Sequence, residues 1–81
     1  MAEPPTPHEC NQAEVLLYWM AANIPEAGRI IPTYLAQLAD VTIMMQRASR
    51  ARQVLQHLYA RYPEWLIQYR VYQRLTSGRK I

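Results

Sequence analysis

The sequence predicts an all-α fold: a small bundle of three or four helices with one long or kinked central helix. Three observations carry this. The chain of 81 residues holds only two glycines, too few for the many tight turns of an all-β domain. Ile31, Tyr34, Leu38, Val41, Met45, Ala48, Leu55, Tyr59 and Tyr62 recur in steps of three and four, the slot at Arg52 apart, which is a helical period and not a strand period. From Thr33 to Tyr62 there is neither glycine nor proline.

The elements follow in order. Residues 1–10 are proline-rich and aperiodic, and are expected to form a flexible N-terminal tail. Asn11 suits a helix N-cap, with Glu14 three positions on completing a capping box. The run Val15–Ala22 is apolar nearly all round, as in a helix covered on several sides or meeting a partner. Pro25, Gly28 and Pro32 end that helix near Asn23 and leave space for one helical turn between Glu26 and Ile31. Pro32 suits the first turn of the next helix, where its missing N–H costs nothing. A second seam of Met44, Ala51, Val54 and Leu58 widens the central apolar stripe. Read as one helix, Thr33–Tyr62 is a rod of roughly 45 Å at 1.5 Å per residue; the alternative is a break within Gln46–Arg50, with Ser49 capping the second piece. Pro63 opens a last helix running through Leu75, with Gly78 as its stop. The single helical domain thus covers residues 11–78, followed by a basic tail at 79–81.

Composition limits what the chain does. Hydrophobic residues make up 51% and charged residues 19%, a globular balance, yet a chain this short covers only about 60–65% of its unfolded surface. One cysteine excludes an internal disulfide, so the expected compartment is the cytoplasm. No apolar stretch reaches membrane-spanning length, and Met1–Pro5 lacks the basic and apolar regions of a secretory signal.

Charge divides the chain. Residues 1–40 hold Glu3, Glu9, Glu14, Glu26 and Asp40 against Arg29, a net of −4; residues 41–81 hold seven arginines and Lys80 against Glu64, a net of +7. Such asymmetry implies either an anionic partner for the second half or pairing between the halves.

Two segments carry family-like patterns. Leu35-Ala36-Gln37-Leu38-Ala39-Asp40-Val41-Thr42 resembles the leading half of a bacterial helix-turn-helix, although Asp40 stands where the turn glycine is usual, and Gln46 and Ser49 stand where the following helix needs apolar residues. That resemblance implies DNA binding. Ala51, Leu55, Leu58 and Pro63, preceded by Leu35, Leu38 and Ala39 and followed by Glu64-Trp65-Leu66, resemble a tetratricopeptide-type unit, with Leu58 in place of a small residue. This second resemblance implies a helical hairpin with a protein-binding groove, which as a lone unit needs other helices or a partner to cover its apolar face.

Little in the sequence points to catalysis. His8 and Cys10 flank Glu9, and His57 is the only other histidine, too few ligands for a four-coordinate zinc site. No metal or other cofactor is expected, and no catalytic residues are assigned. The aromatics say more: six tyrosines and two tryptophans occur without phenylalanine, and Tyr, Trp and Arg dominate binding hot spots. The expected function is a small non-catalytic interaction module, an adaptor, chaperone or inhibitor, contacting another protein or a second copy of itself as a homodimer through Trp65, Tyr69, Arg70, Tyr72 and Arg74. Trp65, Leu66, Tyr69, Tyr72 and Leu75 are expected on one broad face, with Arg70 and Arg74 on the opposite, solvated one. The alternative is a small DNA-binding regulator using Arg47, Arg50 and Arg61, with weak, salt-sensitive affinity for nucleic acid.

Overall fold

The computed structural model describes residues 4–78 and contains four α-helices and one 3-10 turn. The helices are α1 (Pro7–Asn23), α2 (Ile31–Ala39), α3 (Met44–Arg61) and α4 (Pro63–Gly78), with the 3-10 turn at Pro25–Arg29. Among the described residues there is no strand. The basic tail read at 79–81 lies outside the described residues.

Helix α1 starts earlier than the sequence reading placed it. Thr6, not Asn11, is the N-cap, in extended conformation, with Pro7 at the first helical position and Glu9 completing the capping box. The Glu9 carboxylate accepts the Thr6 backbone N–H at 3.0 Å. Residues 7–10 are therefore helical rather than part of a flexible tail, and Cys10 is buried in the core. The helix ends where Pro25 forbids continuation: the Ile24 N–H donates to the Met20 carbonyl at 2.9 Å and Ile24 itself is extended.

The central segment is two helices, not one rod, and the break falls earlier than Gln46–Arg50. It falls at Asp40–Ile43, where Val41, Thr42 and Ile43 form a run of three β-branched residues. Each loses side-chain freedom against the preceding helical turn, and Ile43 has turned fully extended before α3 begins. The break also resets the phase of the apolar seam. On α3 the buried residues are Ala48, Ala51, Val54 and Leu58, close to the second seam. Met45, placed on the first seam, is 77% exposed and Tyr59 is also exposed.

The core gathers around α1, which packs against every other helix and most extensively against α3. Leu16, Leu17 and Met20 of α1 meet Ile31, Tyr34 and Leu38 of α2, the four buried residues of α3, and Trp65 and Leu66 of α4 in one cluster. Two ion pairs fasten α1 to α3: Glu9 with Arg52 at 2.8 and 2.9 Å, and Glu14 with Arg47 at 2.9 Å. Acidic first half and basic second half thus meet inside one molecule at these two points. The radius of gyration is 13.3 Å, above the roughly 12 Å of an average domain this long. The excess agrees with the placement of α4. Near its start Trp65 and Leu66 are buried in the core, but everything from Arg70 to Ser77 is exposed.

Candidate interaction surface on α4

Pro63 fixes the start of α4 directly after α3. The Tyr62 N–H closes the end of α3 on the Leu58 carbonyl at 2.8 Å, and the Tyr62 carbonyl accepts from Trp65 at 3.1 Å. Tyr62 and Trp65 stack, with ring centroids 4.1 Å apart and planes 8° from parallel. One turn on, Tyr69 meets Trp19 of α1 edge-to-face at 5.3 Å, and Tyr72 lies 5.5 Å from the same ring. Trp19 is therefore the post against which the middle of α4 leans. Its indole N–H is buried without an acceptor, a cost of about 1–3 kcal/mol for a buried donor left unpaired.

Beyond that post α4 turns an apolar edge to solvent. Ile67, Val71 and Leu75 are 61%, 52% and 66% exposed. They sit four residues apart, within roughly 80° of arc at 100° per residue. On one side the stripe runs into a shallow groove of about 420 Å³ floored by Trp19 and Tyr72 and ending at Asn23. On the other side Arg74 and Arg70 border it, roughly 20–60° around the helix. Both are exposed, and among the described residues neither meets a carboxylate within ion-pair distance.

The residues read from the sequence are thus only partly brought together. Arg70 and Arg74 border the exposed stripe on one side and Tyr72 on the other. Tyr69 is half-buried, and Trp65, at 6% exposure, is core and does not present a contact surface. Leu75 is fully displayed rather than packed. Ile67 and Val71, which the sequence reading passed over, are the centre of the face. The signal was the i, i+4, i+8 spacing of three aliphatic residues on the side opposite Trp65, Leu66 and Tyr69.

The row of arginines considered for DNA does not stand as an open basic face. Arg47 is held by Glu14 of α1 and partly buried, because α1 docks over the start of α3. Arg50 turns toward α2, and Arg61 is exposed at the far end of α3.

Arg50 helps to line a second feature, a cleft of about 430 Å³ between the 3-10 turn and α2 on one side and α3 on the other. Arg29, Thr33 and Gln37 form its first wall, Arg50, Gln53 and His57 its second, and Ile30, Tyr34 and Val54 its floor. Tyr34 lies 5.7 Å from the His57 ring. Burial pushes the Tyr34 hydroxyl above its ordinary pKa of 10.0; nearby Tyr62 adds to this and Arg61 opposes it. Tyr34 therefore keeps its proton at neutral pH.

No group of three or more His, Cys, Asp or Glu side chains among the described residues is placed to hold a metal ion. No helix among them is long and apolar enough to cross a membrane. No protein-family model matches the chain. Comparison with curated proteins gives no significant match, and neither does comparison with solved structures.

Proposed function

We propose that this chain is a small non-catalytic interaction module that docks an amphipathic, acidic-edged helix of a partner protein on the outer surface of α4. The observation that carries the reading is the exposed Ile67–Val71–Leu75 stripe bordered by Arg70 and Arg74. An apolar row beside two unmatched guanidiniums complements a helix whose apolar face is flanked by Asp or Glu. Arginine suits that edge because its planar fork grips a carboxylate with two parallel hydrogen bonds.

The same charges argue against a second copy on this face. In an antiparallel pairing of α4 with itself about a two-fold axis, like edges meet, and four guanidiniums are driven together. In a parallel pairing the arginine edge meets Gln68 and Leu75. The parallel arrangement sets no carboxylate level with the arginines, since Glu64 lies six residues, roughly 9 Å along the axis, before Arg70. Glu9 and Glu14 are already engaged by Arg52 and Arg47.

The test uses two synthetic helices with the same apolar row, one edged with glutamate and one with lysine. The glutamate helix is expected to bind at least about ten-fold more tightly, equal to 1.4 kcal/mol. Val71→Asp is expected to weaken it by about 2 kcal/mol or more, as at a hot spot, and Arg70→Glu with Arg74→Glu to abolish the preference. Equal binding of the two helices overturns the reading. Light scattering that shows a dimer abolished by Val71→Asp but kept by the double arginine variant transfers the face to a second copy.

A further inference from the structure

We propose that the cleft between α2 and α3 is a binding site for a small soluble anion carrying a diphosphate group. The site is separate from the α4 face and does not depend on what docks there. Two polar rows face each other across it, Arg29–Thr33–Gln37 and Arg50–Gln53–His57, and among the described residues no carboxylate lines it. Spacings of three and four keep Thr33 and Gln37 on one side of α2 and Arg50, Gln53 and His57 on one side of α3, and Arg29 of the 3-10 turn extends the first row.

The absence of an acid along these walls is informative because the fold places acids elsewhere with care. Glu9 and Glu14 are both matched to arginines on α3, whereas Arg29 and Arg50 converge on one cavity with no counter-charge among its lining residues. Like charges that approach each other cost energy unless an anion joins them. Two guanidiniums supply paired N–H donors for phosphoryl oxygens. The Thr33 hydroxyl, the Gln37 and Gln53 amides and the Tyr34 hydroxyl add neutral donors, and His57 closes one side. A cavity of about 430 Å³ falls within the usual range for small-ligand sites. It accommodates a diphosphate with space beside it for a larger group.

The probes are inorganic pyrophosphate and ADP, titrated into the full chain by calorimetry at low, constant ionic strength. Pyrophosphate is expected to bind saturably and to shift the NMR resonances of the His57 and Tyr34 rings. Arg50→Gln is expected to weaken it by at least about ten-fold, the loss of a charge-assisted bidentate contact. Gln37→Glu, which sets a carboxylate into the cleft, should weaken it to a similar degree. Gln56→Glu makes the same change in charge at an exposed position of α3 outside the cleft, and is expected to alter binding by less than about two-fold. Circular dichroism of each variant checks the fold. ADP binding more tightly than pyrophosphate identifies a nucleotide as the source of the diphosphate, and ADP binding equally or more weakly identifies a free diphosphate; both support the site. Unsaturable binding, or equal losses for Gln37→Glu and Gln56→Glu, overturns it.

Discussion

Helices α1 and α4 both carry large apolar side chains around most of their circumference, and they end in opposite situations. Around α1 stand α2, α3 and α4, so Leu16, Leu17 and Met20 are spent inside the core while Val15 and Tyr18 stay exposed on its outer side, and both of its acids find arginines on α3. Helix α4 has neighbours for only its first turns. Trp65 and Leu66 are buried, Tyr69 and Tyr72 lean on Trp19, and the rest displays aliphatic and arginine side chains together. Similar composition thus has two meanings, and what decides between them is how many other helices reach the surface in question. In α1 most of the large aliphatic residues hold the fold together, Leu16, Leu17 and Met20 among them; in the second half of α4 they are free to hold something else.

The sharpest way to break this comparison is to truncate one leucine from each helix. Leu17→Ala, at a fully buried position, is expected to cost about 2–5 kcal/mol, a large part of the stability of a domain this small. Leu75→Ala is expected to stay within about 0.5 kcal/mol of the wild type. Urea denaturation of both variants is the check, and a comparable loss for Leu75→Ala means that the end of α4 is packed.

The charges of the two helices separate under acid. The hydrogen bond from Arg52 holds the Glu9 carboxyl below its ordinary value of 4.5, against a smaller opposing effect of burial. The folded state therefore takes up this proton less readily than the unfolded chain. Its contribution is complete above the ordinary value and fades as the pH falls through the lowered one. Glu9→Gln is expected to flatten the stability curve as the pH falls below the ordinary carboxyl value of 4.5. Arg70→Gln, on α4, is expected to leave that acid limb unchanged. Melting temperatures measured across the range distinguish the two.

Two opposing effects meet where the helices touch. Trp19→Phe loses apolar area but also removes an indole N–H that has no acceptor, and the two changes oppose each other. The variant is expected to fall within about 1 kcal/mol of the wild type, whereas Trp19→Ala, which withdraws the post from α4, is expected to cost about 3–5 kcal/mol. Similar losses for both put the importance of the site in its hydrogen bonding rather than its area.

Much of the fold was legible because proline marks it. Pro25, Pro32 and Pro63 each stand where a helix stops or starts, and no tertiary contact changes what a missing N–H does. Two features were hidden by competition between equal local signals. Thr6–Glu9 and Asn11–Glu14 both have capping-box spacing; the upstream pair prevails, with Pro7 at the first position, and Glu14 is left to meet Arg47. The elbow at Val41–Ile43 contains no glycine or proline, so the weaker preference of three consecutive β-branched residues marks it, beside the helix-turn-helix resemblance that sets a turn at Asp40. The candidate surface was harder still. Arg70 and Arg74 could be placed on the side away from Trp65 by spacing alone, but whether Ile67 and Val71 are covered depends on where the other helices reach.

The clasp between α1 and α3 has a consequence for how the chain is made. Glu9 and Arg52 are separated by 43 positions and Glu14 and Arg47 by 33, so α1 gains its main support only after α3 has left the ribosome. At about 5–20 residues per second, the run Val15–Ala22 waits on the order of seconds with its apolar surface uncovered. In that interval the helix destined for the centre of the molecule is its most adhesive segment.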